Sequence, residues 1–475
     1  MENYELVIGL EVHVELSTES KLFCGCSTRF GAEPNTQVCP VCSGMPGTLP
    51  VLNKKAVESA VKAASALGCG VEEVSIFARK NYFYPDLPKN YQISQYERPI
   101  ASDGFLMLDG RKIRIKRVHM EEDAGKLIHS AGESGPSYVD LNRSGIPLIE
   151  IVTEPDLKSS SEAETFLNNL KRILEYLEIS DCNMEEGSLR CDANISVRPR
   201  GESRLGVKTE IKNMNSFKAV RKAIDYEAAR QVSILSKNGR ISQETRLWNE
   251  SIQVTEGMRS KEEAHDYRYF PDPDLMPVYV TGQMCREITE SIGELPLERK
   301  ERFVREYGLS EYDASSLTSR KKVADYYEKV VSGKINPKAA ANWIMGDLMA
   351  LLKEHKTEID SSPVLPGYMA ELLSFTEDGR ITGTTAKDVL SECFATGICP
   401  GDIVREKNLL QINDQDLITG TIREVLENNG KAVADYRNGR EQAVGFLVGQ
   451  IMRKTGGKAN PAIVRDTLLK ALKEM

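Results

Sequence analysis

The chain has 475 residues, 40% apolar and 28% charged, with a formal net charge of −8. That length exceeds one hydrophobic core and predicts roughly two to four domains. Its apolar runs fall short of a membrane span and MENYELV lacks a secretory pattern, so a cytoplasmic protein is expected. The acidic balance excludes nucleic-acid affinity spread over the whole surface but leaves room for a local basic patch.

The first predicted element is GLEVHVEL. Leu10, Val12, Val14 and Leu16 alternate with Glu11, His13 and Glu15. A period of two means a β-strand with one apolar face. The other face carries acid, imidazole and acid about 7 Å apart, as either a solvated edge or one wall of a polar site. Next comes CGCSTRFGAEPNTQVCPVC, with Cys24-x-Cys26, twelve residues, then Cys39-x2-Cys42. Two close cysteine pairs suit Zn2+ held by four thiolates, a closed and therefore structural site.

KKAVESAVKAASAL follows as a helix. GFLMLDGRKIRIKRVHM reads as a hairpin turning at Asp109-Gly110. In VHMEEDAGK, Glu121 and Glu122 are neighbours, and a strand points neighbours to opposite faces unless it bulges. In IPLIEIV, Glu150 is a lone carboxylate in an apolar strand, where it is costly unless paired. SSEAETFLNNLKRILEYL is a helix that Ser160 or Ser161 can cap. CDANISVRP sets Asp192, Asn194 and Ser196 opposite Cys191, Ala193, Ile195 and Val197. GVKTEIKN sets Lys208, Glu210 and Lys212 opposite Val207, Thr209 and Ile211.

These segments predict an α+β body with a large, mostly antiparallel sheet and a few helices packed on it. From SIGELPLERKERFVREYG the period becomes 3.6, through ADYYEKVV, PKAAANWIMGDLMALLKEH and PGYMAELLSF. A last helical block ends in NPAIVRDTLLKALKEM, with Asn460 as N-cap and Pro461 in its first turn. The expected domains are a catalytic body over 1–292, an all-helical domain over 293–407 and a small helical tail over 408–475.

If the acidic faces share one sheet, they assemble carboxylates and an imidazole flanked by lysines. That is a setting for Mg2+ and phosphoryl transfer; a salt-bridged surface is the alternative. The chain has no G-x-x-x-x-G-K-[ST], G-x-G-x-x-G or G-x-S-x-G motif, so a nucleotide must bind by another geometry and no ammonia-releasing nucleophile is evident. Arg111, Lys112, Arg114, Lys116 and Arg117 read as a charged strand face that balances the acids. From Gly449 to Met475, six Lys/Arg against two Asp/Glu leave +4. There Arg453, Lys454 and Lys458 surround a Gly-Gly turn before a helix N-terminus, a favourable place for RNA phosphate or a capped connector.

Taken in order, GLEVHVEL, RKNYFYPDLPKNYQISQ, HMEEDAGK, DLNRSGIPLIEIVTEPD, MEEGSLRCDANIS, KTEIKNMNSF and DYRYFPDPDL resemble the GatB family, the B subunits of the aspartyl/glutamyl-tRNA(Asn/Gln) amidotransferases. The resemblance spans essentially the whole chain, including GFLVGQIMRKTGGKANP in the tail. It implies a cradle-shaped catalytic domain of the glutamine synthetase/guanido kinase type, then a helical domain and a tRNA-binding tail. It implies that His13, Glu122 and Glu150 hold catalytic Mg2+, and that Glu11, Glu121, Asp192 and Glu210 are ligands of a second divalent ion. Lys80, Lys89, Arg190, Lys208 and Arg268 become candidates for ATP phosphate contacts, with salt bridges to the acids as the alternative. The cysteine cluster occurs in only some relatives, so catalysis should not depend on it.

The implied reaction is ATP- and Mg2+-dependent phosphorylation of the side-chain carboxylate of Glu-tRNA(Gln) or Asp-tRNA(Asn), followed by amidation. The resemblance also implies a heterotrimer, in which the amidase A subunit supplies ammonia and the small C subunit wraps the pair. Two rivals are a metal-dependent kinase or ligase for a small free carboxylate, and a non-catalytic RNA-binding scaffold.

Overall fold

A computed structural model describes residues 3–129, 136–260, 264–410, 415–437, 440, 442–455, 459 and 461–474. The chain forms two compact units, Met1–Pro296 and Leu297–Met475.

Strand alternation organises the first unit. Its main sheet has nine strands, running from Val254–Ser260 through Glu244–Asn249, Thr209–Lys212, Leu189–Pro199, Tyr4–Glu15, Pro147–Thr153, Arg111–Glu122 and Ala101–Leu108 to Gly70–Val71. Among the described residues only Thr209–Lys212 and Glu244–Asn249 pair in parallel, so the sheet is mixed. The opening strand therefore lies near the middle of the sheet and is not an edge. One face buries Leu10, Val12, Val14, Val118, Met120, Ile149, Ile151, Ala193 and Ile195 with residues of the helices Lys54–Ala66, Ser160–Tyr176 and Phe217–Ser236. Side chains of the other parity face away from that core and carry the charges.

Local signals behave as their chemistry requires. Asp109 (φ 48°) and Gly110 (φ 78°) both take positive φ, the geometry of a tight hairpin that follows the sheet twist. Ser159, not Ser160 or Ser161, caps the second helix. It has extended backbone (φ −149°, ψ 158°) and accepts from the Glu162 amide at 3.1 Å, whereas Ser160 is already helical. A second, three-stranded sheet joins Phe77–Asn81 to Tyr91–Gln95 and Phe270–Pro271. It is tied to the end of Arg111–Glu122 by Gln92 Nε2 donating to the Glu122 carbonyl (2.7 Å) and the Met120 amide donating to Gln95 Oε1 (3.0 Å).

The second unit is helical and holds two cores. One gathers Phe303, Tyr327, Leu348, Leu372 and Leu390. The other gathers Ile422, Val433, Leu447, Ile451 and Leu468 from the last four described helices, Gln415–Asn428 to Pro461–Glu474. The segment predicted as one helix from Pro337 to His355 holds a π-helical turn at Ile344–Leu348. Among the described residues, no helix is long and apolar enough to cross a membrane.

Candidate active site

The polar sheet face is assembled by register. His13 lies opposite Glu150 on one side and Arg190 on the other, and Glu150 lies opposite His119. Glu121, two residues from His119, shares that face. His13 Nε2 is 3.3 Å from Glu121 Oε1 and 3.7 Å from Glu150 Oε2. His119 Nε2 is 2.7 Å from Glu150 Oε2 and 3.7 Å from Glu121 Oε2. Ligand atoms of His13, Glu121 and Glu150 all lie within 4.8 Å of one another.

Burial sharpens the electrostatics, since Glu121 is 2% and Glu150 7% exposed. Burial alone would raise both carboxyls. For Glu150 the charge and hydrogen bond of His119, then the charge of His13, win and bring it to about 2. Hydrogen bonds from His119 and His13, with the Lys80 charge, hold Glu121 well below the carboxylate range. Burial works against protonation of His119, yet Glu150 and Glu121 outweigh it and lift the imidazole to about 9. Two ionised carboxylates and an imidazole are a donor set that fits a divalent cation, with further coordination positions left for water or substrate.

Glu122 is not part of that group. Strand alternation turns it away from Glu121, and its Oε1 accepts from the Ile93 amide at 2.9 Å and pairs with Lys89. The structure thus brings Glu121, rather than Glu122, within 4.8 Å of the ligand atoms of His13 and Glu150. Nor do Glu11, Asp192 and Glu210 converge with Glu121 as a second set. Asn194 Nδ2 donates to Glu11 at 2.9 Å, Lys212 pairs with Asp192 and lies 3.6 Å from Glu210, and Thr245 Oγ1 donates to Glu210 at 2.8 Å. The Lys212 ammonium stands between the two acids where an ion was expected.

The expected phosphate contacts divide similarly. Lys80 is near the cluster, its Nζ 4.9 Å from the Tyr267 ring and 5.7 Å from Tyr82. Burial disfavours its charge, but Tyr269, Glu121 and Glu150 more than restore it. Arg190 is held by Asp123 at 2.8 Å and Glu15 at 3.9 Å. Glu15 is pushed up to about 8, first by burial and then by the Asp123 charge. Lys208 lines a cleft with Glu11 and Asn194. Arg268 is exposed with left-handed backbone (φ 46°), and its carbonyl accepts from Asn81 Nδ2 at 3.0 Å.

The Sγ atoms of Cys24, Cys26, Cys39 and Cys42 lie within 4.8 Å of one another. Cys39 and Cys42 sulfurs are 3.9 Å apart, against about 3.8 Å across a tetrahedral zinc with bonds of about 2.3 Å. A hydrogen bond from Cys24, with the Lys21 charge among further causes, holds the Cys42 thiol below its usual range. In the tail, Arg453 and Lys454 are exposed at the end of the helix Gln442–Lys454, and Lys454 pairs with Glu424. Lys458 and the expected cap Asn460 lie outside the described residues.

Sequence reasoning missed His119. The signal was available, because His119-x-Glu121 repeats the alternation of His13-x-Glu15.

Residues 6–286 match the family described as the GatB/GatE catalytic domain, and residues 325–472 match the GatB domain. The class is thus a GatB-type catalytic domain with its characteristic C-terminal partner. The chain is 56% identical to the B subunit of aspartyl/glutamyl-tRNA(Asn/Gln) amidotransferase from Carboxydothermus hydrogenoformans, over 98% of each chain. It is 55% identical to the protein of the same name from Thermoanaerobacter sp. (strain X514), over 99% of each chain. To that of Thermodesulfovibrio yellowstonii it is 55% identical, over 99% of this chain and 100% of the relative. The chain belongs to the family of aspartyl/glutamyl-tRNA(Asn/Gln) amidotransferase B subunits.

Proposed function

We propose that this chain activates the side-chain carboxylate of Glu-tRNA(Gln) or Asp-tRNA(Asn) with ATP and then presents it to ammonia. The supporting observation is the buried His13–Glu121–Glu150 group on the polar sheet face, braced by His119. A carboxylate resists ammonia because it is anionic and has no leaving group. Its oxygen attacks the γ-phosphorus, the bond to the bridging oxygen breaks, and ADP departs. Ammonia then adds to the acyl carbon, phosphate leaves and a proton is lost, giving the amide.

His13, Glu121 and Glu150 would hold Mg2+, which when bound neutralises phosphate oxygens and keeps the donor in line. His119, 2.7 Å from Glu150 Oε2, would hold that carboxylate in place as a ligand. Lys80 and Arg190 add positive charge where phosphate charge develops. Lys89 serves by holding Glu122, and Lys212 by holding Asp192 and Glu210.

The four cysteines would hold a structural Zn2+. The working division is a catalytic body over 1–292, a helical domain over 293–407 and a tRNA-binding tail over 408–475 carrying Arg453, Lys454 and Lys458. Ammonia would come from the amidase A subunit, with the small C subunit completing a cytoplasmic heterotrimer. The test is conversion of misacylated tRNA with ATP, Mg2+ and ammonia, and with glutamine only when the partner subunits are present. ADP, phosphate and amide should form in equal amounts. Amidation without ATP, or an undiminished rate in a folded Glu121→Gln variant, would overturn the proposal.

A further inference from the structure

In the sequence Arg117 is one charge in a surface-balancing run, but its position in the sheet sets it apart from its neighbours. It lies two residues from His119 on the same strand and so shares its face. It pairs across to Val152, Val152 pairs to Glu11, and Glu11 pairs to Asp192. That row runs beside the row of His119, Glu150, His13 and Arg190, one pleat or about 7 Å away.

Four other arginines of this sheet are satisfied. Arg111 is 2.6 Å from Glu162, Arg114 2.7 Å from Asp156, Arg190 2.8 Å from Asp123 and Arg198 3.2 Å from Glu5. Arg117 is not: its Nε is buried without a hydrogen-bond partner, and among the described residues its guanidinium joins no ion pair. Burying an unpaired donor is unfavourable, and a native fold keeps such groups rare. The side chain lines a cleft of about 330 Å³ that also holds Lys116 and Lys208 against Glu11 and Glu154, with Asn194 beside them. That volume is at the lower end of small-molecule sites, about 300–1,000 Å³.

We infer that Arg117 contacts phosphate of the nucleotide that donates the phosphoryl group, its planar fork receiving non-bridging oxygens in the cleft one pleat from the His13–Glu121–Glu150 group. This inference rests on the phosphoryl-transfer reading above. A guanidinium presents paired N–H groups that match phosphate, which a lysine ammonium does not reproduce. The polyphosphate of one nucleotide spans the step between cleft and cation cluster, so both ends of the donor are held by one sheet face. RNA backbone phosphate offers the same chemistry, and the cleft's proximity to the cation cluster is what favours the nucleotide.

The test uses the full amidotransferase complex with Arg117→Gln and Arg117→Lys, each checked for native circular dichroism and zinc content. Mg2+-ADP binding is measured by calorimetry, the KM for ATP by amidation of misacylated tRNA, and tRNA binding by filter retention. Arg117→Gln should weaken ADP binding and raise the KM for ATP about 10- to 100-fold, the loss of one or two charge-assisted hydrogen bonds. tRNA affinity should stay unchanged, Arg117→Lys should recover part of the loss, and added guanidinium ion should restore part of the Gln variant's nucleotide affinity. Wild-type nucleotide binding in Arg117→Gln overturns the inference. So does a loss confined to tRNA binding, which would give the cleft to the RNA backbone. A wild-type complex that amidates without ATP is a separate result: it removes the phosphoryl-transfer reading and this inference with it.

Discussion

Lys21 gives the most quantitative handle on the cysteine cluster. Its side chain is 0% exposed, and its Nζ donates to the Gln37 carbonyl at 2.8 Å, the Leu141 carbonyl at 3.3 Å and Cys42 Sγ at 3.6 Å. Among the described residues no carboxylate pairs with it. A buried ammonium needs an anion, and the thiolates are the anions at hand. Four thiolates around Zn2+ carry a net charge of −2, which one lysine halves. Lys21→Met keeps the length and removes the charge. Two half-buried carbonyls then lose a donor, at up to about 1–3 kcal/mol each, and a thiolate loses a charge-assisted bond. Relief from burying the ammonium offsets part of this, leaving a net loss of about 2–4 kcal/mol. Carried into zinc affinity, that is about 30- to 1,000-fold. The assay is competition for zinc by a chromogenic chelator, with urea unfolding of the zinc-loaded protein alongside. Wild-type zinc affinity and an unchanged urea midpoint in Lys21→Met would refute the charge argument.

Glu121 and Glu122 should separate cleanly. Glu121→Gln is expected to raise the Mg2+ requirement for amidation at least about 10-fold with the fold intact, because it removes a ligand charge. Glu122→Gln should act chiefly on stability, by about 1–3 kcal/mol in urea unfolding, because it loosens Lys89 and the Ile93 amide. Glu227 is fully buried and accepts from Arg230 at 2.8 and 2.7 Å, Gln231 at 2.9 Å and Thr255 at 3.0 Å. Glu227→Gln should therefore cost about 3–5 kcal/mol. Burial would raise the Glu227 carboxyl, but Arg230 and Gln231 hold it below its ordinary value. Its contribution is thus complete above the unfolded value of about 4.3 and lost as pH falls through the depressed folded value, a slope the Gln variant should lack. Deleting residues 408–475 should weaken tRNA binding in filter retention while leaving zinc content unchanged.

What could be read in advance divides by the range of the interaction. Alternation in GLEVHVEL and CDANISVRP is local, and both segments are strands in the expected phase. The Asp109-Gly110 turn and the cysteine spacing are equally local. The choice between Glu121 and Glu122 is not, since it depends on whether the strand bulges before it ends. The strand keeps its pairing through Leu148 and Pro147, so parity selects Glu121. Likewise, whether Asp192 and Glu210 face an ion or Lys212 depends on cross-strand register between segments far apart in sequence. His119 and Arg117 were hidden for a related reason. Within RKIRIKRVHMEE they look like members of a charged run, and only the partners opposite them distinguish one cation from the next.

The two faces of the sheet also explain why its charges can be numerous without unfolding it. His13, His119, Glu150 and Asp192 each stand between two apolar residues of their strand, and those residues bury in the core shared with the helices. A fully buried Val or Leu contributes about 1.5–3 kcal/mol. Leu10, Val12 and Val14 thus anchor the backbone on which Glu11 and His13 are displayed, while Ile149 and Ile151 do so for Glu150. The core holds the backbone, so like charges on the opposite face can be forced together and then neutralised by histidine, lysine or a bound cation. Replacing an acid on that face by its amide should leave the anchoring contacts intact, whereas shortening Val12 or Ile151 should displace the neighbouring ligands together. A one-residue slip in register would exchange the faces, burying Glu11, His13 and Glu150 in the core. Foldability and site geometry are therefore selected by the same pattern, and the polar row of the opening strand is kept because its apolar row fixes where it points.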